Sequence, residues 1–268
     1  MVGDIFGKPG RVIALEKIPR MREHFRLDAV VVNGENAAGG LGITSEIAKE
    51  LLGEVADIIT LGNHTWNKPE IYNMLDDDPR IIRPANYPEG APGRGVTEVQ
   101  LATGMLGVIS LQGRLFMQDI DCPFKSADRQ LAVLSGHCKN ILVDFHAEAT
   151  SEKQAMGYYL DGRCSAVVGT HTHVQTADER ILPAGTALLS DVGMTGPFNS
   201  IIGVEPKIAL RRFLTGLPSR VEVADGPAML SAVLIYTDDN SGKAVAIQRL
   251  QIHEHTNLEM LYNQEIST

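Results

Sequence analysis

Polar residues of the kinds that bind metal ions recur in this chain directly after short apolar runs. Most of these fragments begin with glycine. They are Gly3-Asp4, Gly34-Glu35-Asn36, Gly62-Asn63-His64, Gly169-Thr170-His171-Thr172-His173 and, after the apolar run 141–143, Asp144-Phe145-His146. Loops that follow the strands of an open α/β sheet meet in one crevice. We therefore expect these side chains to converge on one metal site.

The candidate ligands offer only oxygen and imidazole nitrogen atoms. They are Asp4, Glu35, Asn36, Asn63, His146, His171 and His173. This mixture suits Mn, Fe, Zn or Co rather than a soft thiolate site. Seven ligands exceed the needs of one ion, so we predict a dinuclear centre with Glu35 as the favoured bridge. Two ions roughly 3.5–4 Å apart suit phosphoryl transfer, because both the attacking and the leaving oxygen are stabilised.

Each fragment also has a simpler interpretation when it is taken alone. Gly-Asp is usually a turn, Asn63 fits a left-handed turn position, and His64 fits the surface. The pair His171 and His173 is the strongest single element, because residues two apart on an extended segment project to the same side. Together, five such fragments at successive predicted strand ends favour the metal site.

The elements that position these fragments alternate between predicted strands and helices. Apolar runs rich in Val and Ile predict buried strands at residues 28–33, 57–61, 107–111, 140–145 and 166–170. Helical spacing predicts helices at residues 8–25, 44–55, 150–160 and 209–214. Pro19 predicts a kink or break in the first helix, and Thr150 or Ser151 is the expected cap of the third. Segments 230–237 and 243–252 flank a polar turn and predict an antiparallel hairpin.

Length, composition and charge restrict the function classes. The 268 residues, 44% of them hydrophobic, predict a single domain over residues 1–268. A net charge of -9 argues against strong nucleic-acid binding, which needs clustered Lys and Arg. Three cysteines without paired spacing predict neither a disulfide framework nor a thiolate metal site. No signal peptide and no run of ~18 apolar residues is present, so we expect a soluble cytoplasmic protein without a membrane partner.

Longer strings around the same residues resemble a known family. They are VNGENAAGG at residues 32–40, LGNHTW at 61–66, DFHAEATSEK at 144–153 and DVGMTGP at 191–197. They are similar to the calcineurin-like metallophosphoesterases, above all to the YmdB-like branch, where Gly-Glu replaces the Gly-Asp of the wider superfamily. The resemblance covers nearly the whole chain. It implies a four-layer αββα sandwich with mixed β-sheets, self-association into a homo-oligomer, and a phosphodiesterase acting on 2′,3′-cyclic or 3′,5′-cyclic nucleotides.

The resemblance also implies roles for individual residues. It assigns the first ion to Asp4, Glu35, Asn36 and His173 and the second to Glu35, Asn63, His146 and His171. Two divalent or trivalent ions are implied, Fe or Mn first, with Zn as a further option. A hydroxide that bridges the ions would attack phosphorus, and the uncoordinated His64 would protonate the leaving oxygen. A purely positioning role is the alternative for His64.

Further residues are weaker candidates for contact with a phosphodiester substrate. Arg114 follows a predicted strand and can pair with a phosphate, although a surface arginine fits equally well. Tyr87 or Phe116 offers a face for a base, with loop packing as the alternative. Asp191 is a candidate to orient a ligating histidine. No supporting pattern accompanies the remaining histidines, which are His24, His137, His253 and His255.

Two functions of other classes remain open. One is a metal-binding regulatory protein that acts through a partner such as RNA-decay machinery; a phenotype that depends on Asp4 or Glu35 would argue against it. The other is a metal hydrolase of C–N bonds. Its barrel form places a His-x-His pair after the first strand, whereas here that pair comes late and Asp4 comes first.

The start of the chain is short for the strand that should hold Asp4. Only three residues precede Asp4, whereas a strand usually has about five or six. We therefore expect the native start to lie upstream of Met1, and we expect Asp4 to be held less firmly if it does not. The intact mass of protein made from the native locus tests this expectation, because a chain that begins with Met1 would contradict it.

Overall fold

A computed structural model describes residues 1–254 and 256 of the chain. The end of the predicted domain, including His255, lies outside these residues. The helices are α1 (Gly7–Phe25), α2 (Ser45–Glu54), α3 (Ile71–Asp77), α4 (Pro123–Leu134), α5 (Thr150–Leu160) and α6 (Pro206–Thr215). In the described part of the chain, none of the helices is both long and apolar enough to cross a bilayer.

The strands form two sheets that meet face to face. The strands are β1 (Val31–Asn33), β2 (Ile58–Thr60), β3 (Ile81–Ile82), β4 (Val96–Leu101), β5 (Gly104–Gln112), β6 (Asn140–His146), β7 (Ala166–Thr170), β8 (Arg180–Ile181), β9 (Ala187–Leu189), β10 (Gly196–Pro197), β11 (Ala228–Thr237) and β12 (Ala244–His253). All five predicted strands are present, as β1, β2, β5, β6 and β7, and the predicted hairpin is β11 and β12.

The first sheet is mixed, and the N-terminal segment, residues 1–6, holds its two halves together. One half is parallel, in the order β1-β2-β3, and the other is antiparallel, in the order β10-β11-β12. The N-terminal segment lies between β1 and β11. Val2 N donates to Val31 O at 2.8 Å, and Gly3 N donates to Ser231 O at 3.0 Å. Asp4 therefore emerges beside the end of β1.

The second sheet has the order β4-β5-β6-β7-β9-β8. Strands β5, β6, β7 and β9 are parallel, whereas β4 and β8 are antiparallel to their neighbours. The register sets Gln112, His146 and Thr170 side by side at the carboxyl ends of three adjacent strands. This edge faces the end of the N-terminal segment, since the backbone N–H of His171, just past β7, donates to Asp4 Oδ2 at 3.2 Å.

Three apolar cores separate four layers of secondary structure. Helices α1, α2 and α3 cover the first sheet with Ile13, Leu51 and Leu75 among the buried residues. Residues such as Val31, Val108 and Val233 fill the space between the sheets. Helices α4 and α5 cover the outer face of the second sheet with Leu131 and Met156. The predicted αββα sandwich is therefore confirmed.

Local details differ from the sequence-based expectations. Helix α1 continues through Pro19, so the predicted break is wrong; Ile18 and Met21 on either side are buried, and this packing offsets the missing backbone hydrogen bond. The N-cap of α5 is Ala149 without a side-chain cap, not Thr150 or Ser151. Strand β1 starts three residues late, because the N–H of Val30 donates to the Asp57 side chain at 2.6 Å instead of to a strand.

Candidate metal centre

The seven predicted ligands meet where the carboxyl ends of the two sheets face each other. Asp4 lies in the N-terminal segment, and each of the others follows or closes a strand of the parallel part of the fold. Asp4, Glu35, Asn36 and His146 are fully buried. The contacts among the side chains divide into two groups that share Glu35. The geometry of each group and the polar residues behind it determine what the site can bind.

The group predicted for the second ion surrounds the Nε2 atom of His146. This atom lies 2.9 Å from Asn63 Oδ1, 3.1 Å from Glu35 Oε1 and 3.0 Å from His171 Nδ1. Ligand atoms of Glu35, His146 and His171 all lie within 4.8 Å of one another. Two oxygens and two nitrogens thus face one small space, as the coordination of a single ion requires.

The group predicted for the first ion surrounds a carboxylate oxygen of Asp4. Asp4 Oδ1 is buried and has no hydrogen-bond partner among the described residues, and it lies 3.9 Å from Nε2 of His173. A buried carboxylate oxygen without a partner is costly, and a cation would satisfy it. Asn36 directs its amide nitrogen at His173 (3.1 Å) and its oxygen at His64. To bind the first ion through its oxygen, the side-chain amide of Asn36 would have to rotate by half a turn. This rotation exchanges the oxygen and the NH₂ group, which have nearly the same shape.

Each of the three histidines predicted as metal ligands is held in place by an oxygen atom, which contacts the ring nitrogen that faces away from the cluster. The contacts are His146 Nδ1 with Thr170 Oγ1 at 2.9 Å, His171 Nε2 with Glu148 Oε2 at 3.1 Å, and His173 Nδ1 with the carbonyl oxygen of Ile202 at 2.9 Å. The other nitrogen of each ring therefore points toward the cluster. Metal-binding histidines are usually held in this way, because the outer hydrogen bond sets the tautomer and the ring orientation.

A buried carboxylate beneath the site sets the tautomer of His146. Asp144 accepts hydrogen bonds from Thr170 Oγ1 at 2.7 Å, from Asn33 Nδ2 at 3.2 Å and from the hydroxyl of Thr60. Because the single hydroxyl proton of Thr170 goes to Asp144, the Thr170 oxygen can only accept from His146. Nδ1 of His146 therefore carries a proton, and Nε2 is the atom that a metal ion can bind.

The electrostatics of the cluster favour positive charge at its centre. Burial disfavours a charged imidazole, yet the neighbouring Glu35 raises the pKa of His146 to about 9. Burial acts to raise the pKa of Glu35, but His146 and His64 hold it well below the usual value. Burial raises the pKa of Asp4 to about 6, and burial together with His146 lowers the pKa of His171 to about 3. The field that retains a proton on Nε2 of His146 would equally favour a cation there.

The loop that carries His171 and His173 is held in a strained conformation. Both residues have positive φ, 103° and 68°, which non-glycine residues rarely adopt. Thr172 between them donates from its N–H (3.1 Å) and its hydroxyl (2.8 Å) to Asp191 Oδ2, which also accepts from the buried Lys153 at 2.6 Å. Asp191 therefore orients the backbone between the two histidines rather than a histidine ring.

Glycine is required at the turn that follows β2. A Cβ atom on Gly62 would lie 2.3 Å from Cδ2 of His146 and 2.4 Å from Oε2 of Glu35, closer than any real contact. Gly62 therefore lets the backbone pass directly beside two candidate ligands. This contact explains why a glycine precedes Asn63 in the sequence.

The residues considered for substrate contact have different surroundings. The side chain of His64 is 29% exposed, which leaves it open to a ligand. Tyr87 is buried and its hydroxyl bonds Gln112, so the interpretation of Tyr87 as a face for a base is wrong. Phe116 is 91% exposed. Arg114 is exposed, with its backbone N–H bonded to Glu152 at 3.1 Å, and its contact with a phosphate stays a prediction.

Several residues that support the site were missed by the sequence analysis. They are Asn33, Thr60, Glu148 and Thr170. Asn33, Thr60 and Thr170 are the last residues of β1, β2 and β7, so a polar residue that closes an apolar strand was the available signal. Glu148 lies two residues beyond His146, but its contact with His171 depends on how two loops meet, and nothing in the local sequence indicates it.

The chain is similar to known proteins over nearly its whole length. Residues 1–250 match the family described as YmdB-like protein. The chain is 51% identical over 253 residues to the 2′,3′-cyclic-nucleotide 2′-phosphodiesterase of Bacillus subtilis (strain 168), and the match covers 94% of this chain and 96% of the relative.

Two solved structures share the fold over almost their full length. A protein of Thermus thermophilus is 41% identical with a TM-score of 0.88, covering 94% of this chain and 97% of that one. A phosphatase of Mycoplasma pneumoniae is 32% identical with a TM-score of 0.88, covering 94% and 92%.

The raised pKa of His146 gives a testable pH dependence in metal-free protein. The folded protein holds the His146 proton up to about pH 9, whereas the unfolded chain loses it near pH 6.5. The contribution of His146 to the free energy of unfolding is therefore complete below pH 6.5 and is lost as the pH rises to 9, by about 3 kcal/mol. Unfolding of wild type and His146→Gln at each pH measures this contribution as a difference. A difference that stays constant across this range would contradict the prediction.

Proposed function

This chain belongs to the YmdB-like protein family, and we propose that it is a phosphodiesterase that depends on two metal ions and hydrolyses cyclic nucleotides, 2′,3′-cyclic nucleotides first. The observation that carries the proposal is the set of three histidines whose outer nitrogens are fixed by oxygens while the inner nitrogens converge. The activity named for the 51% identical relative supports the choice of substrate.

The donor atoms of the site suit the proposed ions. Asp4, Glu35, Asn36 and His173 would hold the first ion, and Glu35, Asn63, His146 and His171 the second. The unpartnered Oδ1 of Asp4 and the negative field around His146 support this assignment. Oxygen and imidazole ligands without sulfur fit Fe or Mn, and they also fit Zn. When bound, such a pair of ions polarises a phosphate and activates a water molecule as the nucleophile.

The position of His64 fits a proton donor. Its Nδ1 lies 2.7 Å from Asn36 Oδ1, or from the amide nitrogen once Asn36 is turned over to bind the ion, and in both cases Nε2 of His64 is left for the substrate. Its backbone N–H donates to Glu35 Oε2 at 3.1 Å, which ties the residue to the ligand shared by both groups. Opening a cyclic phosphate leaves a ribose alkoxide, a poor leaving group. A protonated His64 would transfer its Nε2 proton to that oxygen as the phosphorus–oxygen bond breaks.

An exposed aromatic residue near the site supports a nucleotide as the substrate. Phe116 lies in the loop after β5, whose last residue, Gln112, pairs with His146 in the second sheet. Its ring is 91% exposed and its φ is 61°, so the loop presents the ring to solvent at a local cost. An unpaired aromatic face can stack on a base without selecting among bases. We assign Phe116, rather than the buried Tyr87, to this contact.

Self-association is proposed through helix α6. Of the residues of this helix, all of them described, Ala209 alone is buried. The apolar side chains on or just after it are exposed: Leu210 by 50%, Phe213 by 79%, Leu214 by 82% and Leu217 by 56%. A contiguous apolar surface of this kind usually marks a protein interface. A second copy of the chain fits it because an isologous contact would cover the same side chains on both copies.

The proposed function predicts metal-dependent turnover. Protein loaded with Mn or Fe should hydrolyse bis-p-nitrophenyl phosphate and cyclic nucleotides, and metal analysis should find two Mn or Fe ions per chain. Glu35→Gln should lower kcat/KM at least about 100-fold, because the shared ligand loses its charge. Glu54→Gln, at an exposed position of α2, is the matched control and should not change turnover. A protein that neither binds metal nor turns over any of these substrates would overturn the proposal.

The proton-donor role of His64 predicts a dependence on the leaving group. His64→Ala should keep both ions and lose about 10²–10⁴-fold in kcat on 2′,3′-cyclic nucleotides, since the ribose oxygen needs a proton. The loss should be much smaller on bis-p-nitrophenyl phosphate, whose leaving group is stable as an anion. Equal losses on both substrates would leave His64 with a positioning role only.

The apolar face of α6 predicts a change of mass in solution. The double variant Phe213→Asp, Leu214→Asp should shift the chain from an oligomer to a single copy in light scattering after size exclusion, because it places charge inside the contact. Val133→Asp, at a 60% exposed position of α4, is the control and should keep the wild-type mass. A wild-type protein that already has the mass of one chain would contradict the proposal.

A further inference from the structure

A second cluster of metal-ligand side chains lies at the edge of the second sheet. Glu98 belongs to the edge strand β4, and His137 and Cys138 lie in the connection from α4 to β6. Cys138 Sγ is 3.6 Å from Glu98 Oε2, and His137 Nε2 contacts the same oxygen. The three ligand atoms lie within 4.8 Å of one another. The imidazole of His137 and the thiol of Cys138 thus both contact one carboxylate oxygen of Glu98.

We propose that Glu98, His137 and Cys138 bind a zinc ion, with water in the fourth position. A thiolate, an imidazole and a carboxylate are the three ligand types that zinc takes in proteins. Zinc–sulfur and zinc–oxygen bonds of ~2.3 and ~2.0 Å at a tetrahedral angle set the two ligand atoms about 3.5 Å apart. The observed separation of sulfur and oxygen, 3.6 Å, already has this value. The sulfur and oxygen positions are therefore present before the ion arrives, whereas Nε2 of His137, which contacts the same oxygen, would move apart from it to admit the ion.

This zinc site is separate from the candidate metal centre. Cys138 lies just before β6, which begins at Asn140, whereas His146 closes the same strand. Six residues of extended strand span about 20 Å, so the two sites lie at opposite ends of β6. The donors also differ, because the metal centre offers oxygen and nitrogen while the zinc site includes sulfur. Zinc at this cluster is therefore independent of the proposed phosphodiesterase activity.

Binding exchanges a proton for the ion. Burial, and then the charge of Glu98, raise the pKa of the Cys138 thiol to about 11, so the free cluster holds a neutral thiol that donates to the carboxylate. When zinc binds, the S–H bond breaks, its proton passes to solvent, and a zinc–sulfur bond forms. The proton on Nε2 of His137 that faces Glu98 shifts to Nδ1 by exchange with solvent, which frees the Nε2 lone pair for zinc. Glu98 exchanges its two hydrogen-bond donors for the ion. Release of protons on binding is the general behaviour of such ligands.

The ion would join two parts of the fold that the backbone connects only indirectly. Strand β4 has one neighbour, β5, and the opposite edge of β4 is unpaired among the described strands. Zinc would fasten this edge strand to the connection that leads into the central strand β6. The bond would therefore support stability at the edge of the second sheet, where strands are most prone to open.

Cobalt distinguishes this site from the metal centre, because only a thiolate ligand gives Co²⁺ an intense charge-transfer band in the near ultraviolet. Reduced full-length protein titrated with Co²⁺ should show the band, and added Zn²⁺ should remove it. Cys122→Ser and Glu35→Gln should keep the band, and Cys138→Ser should lose it. The phosphodiesterase activity of Cys138→Ser should equal that of wild type.

A second test measures zinc affinity in variants at exposed positions, where substitution should not disturb folding. The side chains of His137 and Glu98 are 48% and 44% exposed, so His137→Gln and Glu98→Gln should fold normally. Each should weaken zinc binding at this site by at least about 100-fold, the upper range for groups that only support a ligand. Arg163→Gln, at another exposed ion pair, is the control. Absence of the cobalt band in wild type, a band that survives Cys138→Ser, or unchanged zinc affinity in His137→Gln would each overturn the proposal.

Discussion

The carboxylate of Asp144 is the interaction on which the arrangement of this molecule depends. It accepts hydrogen bonds from Asn33 and Thr60 in the first sheet and from Thr170 in the second, all of them buried. One carboxyl group thus fixes the separation and the register of the two sheets directly beneath the candidate metal centre. A buried carboxylate is stable only when its oxygens accept hydrogen bonds. The positions of the three donor side chains and of Asp144 therefore depend on one another. The orientation of His146 follows from that network.

Two neighbouring histidines of the candidate metal centre have pKa values shifted in opposite directions. Nε2 of His146 and Nδ1 of His171 are 3.0 Å apart, yet the pKa of His146 is raised and the pKa of His171 is lowered. The difference arises because Glu35 and Asp4 lie beside His146, whereas the partly buried His171 loses solvation and lies next to the positive His146. A site with two like charges in contact would be unstable, and this division avoids it. The strained loop at residues 171–173 then needs the buried pair of Asp191 and Lys153 to hold its shape.

Much of the fold and the meeting of the candidate ligands could be predicted from sequence, because both depend on local patterns. Apolar runs locate the strands, and the polar residue after each run locates a candidate ligand such as Asn63. What could not be predicted depends on the meeting of distant segments. Glu98 and Cys138 are 40 residues apart and meet only through sheet register and a loop. Tyr87 and Phe116 look equivalent in sequence, but only tertiary packing decides that the first is buried and the second exposed.

The place of residues 1–6 in the middle of the first sheet has a consequence for the order of assembly. Residues 1–6 are synthesised long before β11, with which they form hydrogen bonds, so the bond from the N–H of Gly3 to the carbonyl of Ser231 forms only after β11 has been made. Pairings this distant along the chain are slow, since the loop between them must close first. Asp4 is thus the earliest of the candidate ligands to be synthesised and among the last to be fixed. A nascent chain has no complete candidate metal centre until β11 has been translated.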